Sequence, residues 1–263
     1  MKLSLINILI SGLAMMGTIK SVSAKTYKYS KDKVEYEGQF FSSAKKKSPG
    51  IVLIHNWMGV SAETEKQALR FQKLGYNVLV ADIYGAGNRP KNSQEAGTYA
   101  AKYKSDRKLL RERVSLALSE LRKIPDVDST RLAIMGYCFG GTAAIEAARA
   151  GLDVKAVISF HGGLDSPTPI DGANIKSKVL ALHGAVDPFV KPEDLQAFEQ
   201  EMQTHKVDYQ LIKFGGVVHS FTDSNAGDDI SKGAAYNPKA DARSFGMARD
   251  FLMESFNESV SRD

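Results

Sequence analysis

Short apolar runs alternate with segments of helical period along most of the chain. Residues 50–55, Gly-Ile-Val-Leu-Ile-His, form a continuous apolar run of the kind a strand carries when both its faces are buried. Residues 77–81, 131–135, 154–160 and 178–183 repeat that pattern, and 209–214 read as the last strand. Between them lie helical stripes. Ala68, Phe71 and Leu74 share one face of a helix over 62–74 that Gly75 stops. Leu110, Val114, Ala117 and Leu121 mark the buried face of a long helix that Pro125 ends. Residues 142–150 are alanine-rich. Leu195, Phe198 and Met202, then Phe245, Ala248 and Leu252, give two further inner faces. Near the start, residues 27–41 alternate loosely, which predicts one or two antiparallel edge strands. The order of elements predicts an α/β fold with a mostly parallel central sheet and helices on both faces. With no internal repeat or low-complexity linker, residues 25–263 read as a single domain.

Residues 1–24 fall outside this pattern. Lys2 precedes an apolar run over residues 3–19, and Val22-Ser23-Ala24 presents small residues where a signal peptidase cuts. Cleavage would leave a periplasmic or secreted protein beginning at Lys25. The alternative is an uncleaved anchor, since the run sits at the lower edge of a spanning length. No later segment is apolar enough to insert stably in a membrane. At 263 residues and 43% hydrophobic content the chain can bury a full core. Its net charge of +5 is spread thinly beyond Lys45-Lys46-Lys47, which speaks against nucleic-acid binding. Cys138 is the single cysteine. It has no internal disulfide partner, and a lone thiol in an oxidising compartment is a liability unless it has chemistry to do.

Cys138 lies in Gly136-Tyr-Cys-Phe-Gly-Gly141, between a strand and a helix. Gly-x-Cys-x-Gly has the spacing of a nucleophile elbow, with cysteine in place of serine. A side chain perched on so tight a turn needs small residues two before and two after it, and the helix N-terminus beneath favours a thiolate. A buried structural cysteine beside an ordinary turn would fit the same spacing. The order of the remaining residues favours catalysis. Asp187 follows the 178–183 strand and His219 follows the last strand, giving nucleophile, acid and base in sequence at strand ends. The backbone N–H groups of Trp57 and Phe139 are the expected oxyanion donors. Asn56, Tyr84, Arg89, His161 and Phe221 are the expected pocket residues. His183 and His205 read as structural. No metal-ligand spacing occurs, and Gly85-x-Gly87 lacks the third glycine of a dinucleotide fingerprint, so no cofactor is expected.

These motifs resemble the dienelactone hydrolase family of α/β-hydrolases. The likeness is most specific in residues 136–141, in His183-Gly-Ala-Val-Asp187 and in Gly216-Val-Val-His-Ser-Phe221; Ala235-Tyr-Asn-Pro-Lys-Ala240 extends it, and it spans about 34–252. The resemblance implies the α/β-hydrolase fold and hydrolysis of a small ester or lactone without metal or organic cofactor. It places the triad on Cys138, His219 and Asp187. A monomer or weak homodimer is expected. A family glutamate that pairs with the resting thiol falls on Asn56, which implies a thiolate formed before substrate binds. The family's substrate-carboxylate arginines fall near Ala86 and Asp223, which implies a neutral substrate unless Arg89 substitutes. A ligand-binding or sensing protein on the same fold and a redox-reactive thiol are the competing readings. The absence of a resolving cysteine weighs against the second.

Overall fold

The computed structural model describes residues 24–257; the expected leader lies outside them save for Ala24. The elements are β1 (Lys25–Lys31), β2 (Val34–Phe41), β3 (Ser48–Ile54), α1 (Ala62–Lys73), β4 (Asn77–Ala81), α2 (Ser93–Ser105), α3 (Arg107–Lys123), β5 (Val127–Tyr137), α4 (Phe139–Arg149), β6 (Ala156–Phe160), β7 (Lys178–Gly184), α5 (Pro192–Thr204), β8 (Tyr209–Phe214) and α6 (Pro238–Ser255). Eight strands form one sheet in the order β1-β2-β4-β3-β5-β6-β7-β8. β1 pairs antiparallel with β2, and β2 antiparallel with β4; from β4 to β8 every pairing is parallel. This is the α/β-hydrolase fold.

The apolar runs bury both faces because side chains alternate along a strand. Val52 and Ile54 of β3 join Leu79 and Ala81 of β4 in one core, covered by α2, α3, α4 and α5. Ile51 and Leu53 join Val78 and Val80 in the other, covered by α1 and α6. On α3 the buried Leu110, Val114, Leu118 and Leu121 follow the helical stripe, each contributing about 1.5–3 kcal/mol by leaving water.

The expected long helix is in fact two. Asp106 (φ −112°, ψ 79°) leaves helical geometry, and its carboxylate accepts the Leu109 N–H at 2.9 Å to cap α3. Propensity and stripe alone do not reveal such a break, because α2 and α3 both bury faces in the same core.

One buried charge cluster ties the helices to the loop after β6. Arg149, at the end of α4, is completely buried. Its five N–H groups are all used: two on Glu201 at 3.0 and 2.6 Å, one on Glu146 at 2.8 Å, and two on the carbonyls of Leu164 and Asp165 at 3.0 and 2.9 Å. Burial opposes its charge, but Glu201 and Glu146 more than offset that and hold the guanidinium protonated.

Register places the functional edge. Ile54 of β3 pairs with Gly136 of β5, Tyr137 with Phe160 of β6, and Gly184 of β7 with Phe214 of β8. The residues that follow these strands therefore emerge side by side at the carboxyl edge. From β3 the chain turns to β4 on one side and later returns to β5 on the other. Such a switch point opens a crevice between the two strand ends.

Candidate active site

Cys138 occupies that crevice. Its backbone sits at φ 55°, ψ −117°, between the end of β5 and the first turn of α4. A Cβ on Gly136 would lie 2.2 Å from the Gly140 oxygen, and one on Gly140 would lie 2.3 Å from the Ile54 oxygen. Only hydrogen at both positions lets α4 start hard against β3 and β5. The strain at Cys138 is held by that packing and by its N–H donating to the Phe160 carbonyl at 2.9 Å.

His219 and Asp187 meet Cys138 from the neighbouring loops. His219 Nδ1 lies 2.7 Å from Asp187 Oδ2, and Asp187 Oδ1 accepts the Phe189 N–H at 2.8 Å, so both carboxylate oxygens are engaged. The imidazole also interacts with the Cys138 thiol, and each shifts the other's proton affinity. The His219 backbone is pinned by the 233–235 segment: its N–H donates to Gly233 and its carbonyl accepts from Ala235, at 3.1 and 3.0 Å. Phe189 stacks edge-on against the ring at 5.3 Å.

Burial pushes the Cys138 thiol up, but the His219 hydrogen bond and charge, the nearby Lys104 ammonium and the Phe139 N–H outweigh it, so the thiol pKa falls. Burial pushes His219 down, and its bonds to Asp187 and Cys138 outweigh that in turn, so its pKa rises. The two shifts favour a thiolate–imidazolium pair. As pH falls, His219 is protonated first and the thiolate only at lower pH, so the ion pair fills the window between the two. Alkylation of Cys138 by iodoacetamide is therefore expected to rise through an inflection below the ordinary thiol value of about 8.5. In His219→Gln, which removes the two largest lowering contributions and leaves only Lys104 and the Phe139 N–H against burial, the inflection moves upward. Identical profiles for the two proteins would contradict the ion pair.

Two recesses meet at the sulfur, both walled by Trp57 and Ser220. One, about 280 Å³ and mainly apolar, lies among Lys104, Gly163, Phe189, Val190 and His219. The other, about 40 Å³, is polar and is lined by Asn56, Glu63, Tyr137, His161, Thr222 and Asp223 among others.

The remaining expected site residues divide. Trp57 lines both recesses beside Cys138, and Phe139 is the first residue of α4. His161 lines the polar recess. Asn56 does too, but its Oδ1 accepts the Met58 N–H at 2.9 Å and its carbonyl the Gly59 N–H at 3.2 Å. It is therefore the turn residue that shapes the loop carrying Trp57.

Three expectations are corrected. Tyr84 lies beneath that loop, not in the pocket; its hydroxyl donates to the Trp57 carbonyl at 3.0 Å, and its ring packs on His55, Tyr99 and Tyr103. Phe221 is a completely buried core residue against Phe214 and His161. Arg89 is no anion site. Its guanidinium donates to the buried Asp82 carboxylate at 3.2 and 3.3 Å and to the Glu37 carbonyl at 2.8 Å, because a carboxylate so enclosed requires a counter-charge. Ala86 also lies apart from the crevice, in a hollow beside β1 and β2. Lys104 and Glu63 were not legible as site residues, because each lies on a helix far in sequence from the triad motifs and only packing brings it near; Phe189 and Thr222 sit in the triad loops themselves, just past Asp187 and His219.

A model of the dienelactone hydrolase family matches residues 36–256. The chain belongs to that family. It is accordingly a lactone and ester hydrolase of the dienelactone hydrolase type. Its fold superposes with a TM-score of 0.85 on the crystal structure of a dienelactone hydrolase-like promiscuous phosphotriesterase from metagenomic libraries; that protein is 33% identical, and the match covers 89% of this chain and 99% of the other. A Bradyrhizobium protein described as a probable 2-oxo-3-(5-oxofuran-2-ylidene)propanoate lactonase is 28% identical over 183 residues, 66% of this chain and 73% of that protein. An uncharacterized Caenorhabditis elegans protein is 35% identical over 152 residues, 56% of this chain and 94% of that protein.

Proposed function

We propose that this family member is an exported cysteine hydrolase that cleaves a small ester or lactone with Cys138 as nucleophile. The observation that carries the reading is the connected line Asp187–His219–Cys138, with the sulfur at a helix N-terminus and beside a recess of about 280 Å³. The Cys138 thiolate attacks the carbonyl carbon, and the oxyanion that develops is received by the Phe139 and Trp57 N–H groups. His219 then protonates the leaving alkoxide, which in a lactone stays attached to the acyl chain. In the second step His219 takes a proton from water, the water oxygen attacks the thioester and Cys138 leaves as thiolate. Asp187 holds Nδ1–H throughout, so that Nε2 faces the reaction. Turnover of a chromogenic acetate ester by wild type and its loss in Cys138→Ala is the decisive test. Binding without turnover would favour the sensing protein instead. A chromogenic phosphotriester is a useful second probe, given the activity ascribed to the metagenomic relative.

Charge around the crevice bears on the substrate. Glu63 and Asp223 line the polar recess, and Lys104 the apolar one. A neutral ester is expected to exceed its carboxylated analogue in kcat/KM. Lys104→Glu should widen that ratio by roughly fivefold, as an interaction of about 1 kcal/mol requires. A carboxylated analogue that outperforms the neutral one tenfold would overturn this assignment. Export rests on the leader over residues 1–24. Amino-terminal sequencing of protein from its native host should begin at Lys25, and an intact Met1 on membrane-bound protein would replace export with anchoring.

A further inference from the structure

The polar recess behind Cys138 contains two buried groups that the chemistry above does not use. His161 follows β6 and is 2% exposed, with its backbone at φ 40°, a left-handed conformation that histidine rarely adopts. Its Nε2 lies 2.9 Å from the Thr222 hydroxyl, while Nδ1 has no partner within the protein. The Tyr137 hydroxyl, on a residue 6% exposed, is likewise unpartnered. Both residues line the recess together with Cys138. The His161 ring stands edge-on to the His219 ring at 5.0 Å. Burial and the neighbouring His219 push the His161 pKa well down, so its ring is neutral and offers one donor and one acceptor.

Leaving two such groups dry would cost about 1–3 kcal/mol each. The volume of about 40 Å³ admits two or three waters at roughly 15 Å³ each. Glu63, Asn56 and Asp223 on the same walls supply the further polar partners a bound water needs. An acyl group seated in the apolar recess would cover the open side of the sulfur and keep bulk water from the thioester. Water held in the polar recess reaches the sulfur from its own side, since Cys138 and Ser220 wall both recesses and His219 lines the adjoining one.

We infer that this recess, with His161 and Tyr137 as positioning residues, holds the water that hydrolyses the acyl-enzyme. The inference rests on Cys138 being the nucleophile. In the step it serves, the water oxygen bonds to the thioester carbon as His219 Nε2 takes one proton. The C–S bond then breaks, giving the carboxylic acid and the Cys138 thiolate.

The test separates acylation from deacylation by stopped-flow kinetics with p-nitrophenyl acetate on wild type, His161→Phe, His161→Gln and Tyr137→Phe. The expected result in His161→Phe is an unchanged acylation burst and a steady-state rate lower by roughly tenfold or more. Acetylated Cys138 should accumulate, and added hydroxylamine should restore turnover by replacing the positioned water. His161→Gln, which keeps polar atoms in the recess, should recover part of the rate, and Tyr137→Phe should shift the balance in the same direction as His161→Phe. Burst and steady state falling together, or neither changing, would overturn the inference. Should His161→Phe fail to fold, an unaltered ratio of deacylation to acylation in Tyr137→Phe overturns it equally. Wild type that never forms acetylated Cys138 would instead bring down the reading of the site itself.

Discussion

Replacing Cys138 by alanine is expected to lower kcat for a chromogenic acetate ester by roughly 10³–10⁶-fold while leaving the fold intact. Hydrogen replaces the thiol on a turn whose geometry is set by Gly136, Gly140 and the Phe160 carbonyl, and none of these contacts involves the thiol. What disappears is the atom that forms the covalent bond. Residues that act as one unit lose activity non-additively, so His219→Ala added to Cys138→Ala should cost little more. Asp187→Asn probes the same unit differently. An asparagine amide turned towards His219 Nδ1 would donate where the carboxylate accepts at 2.7 Å, forcing the proton onto Nε2 and leaving the imidazole unable to act as base. A loss on the order of 10²–10⁴ in kcat follows, with the fold unchanged by circular dichroism. Full activity in Cys138→Ala would remove the covalent mechanism. Full activity in Asp187→Asn would leave the acid without its role.

Arg149→Met is expected to destabilise the protein by about 3–5 kcal/mol, because it leaves buried charge without a partner. The side chain is enclosed, and its guanidinium provides both hydrogen bonds to the Glu201 carboxylate in this network. Glu146 retains Arg111 at 2.8 Å, so the loss falls chiefly on Glu201 and on the carbonyls of Leu164 and Asp165. For a chain of this size the change corresponds to a Tm lower by roughly 6–20 °C. Adding Glu201→Gln to Arg149→Met should recover part of the loss, since an amide is cheaper to bury than an unpaired carboxylate. Thermal denaturation of the three proteins is the measurement. A single variant as stable as wild type would show that water reaches this cluster. The loop that Arg149 holds also carries Gly163 into the apolar recess, so the same variant should raise KM before the protein melts.

Local sequence determined the strands, the helix faces and the elbow. Five-to-seven-residue apolar runs can be satisfied only by burial on both sides, and alternation of side chains then divides each run between two cores without further information. Gly136 and Gly140 were legible for a similar reason: a backbone as crowded as that around Cys138 admits no other residue. The positions of Asp187 and His219 after their strands were legible because a parallel sheet brings every strand's carboxyl end to one edge. What lies between those ends was decided by packing. Nothing near Asp106 in the periodicity announces a broken helix, because both pieces face one core. Arg89 reads as a free cation until β2 and β4 enclose Asp82 beside it. Lys104 and Glu63 enter the crevice from helices remote from the elbow, and the pairing of Arg149 with Glu201 spans 52 residues. Sequence pattern reports what a residue needs from its immediate neighbours; which distant side chain answers a buried charge, or which recess a histidine faces, depends on contacts that exist only once the sheet and its helices have assembled.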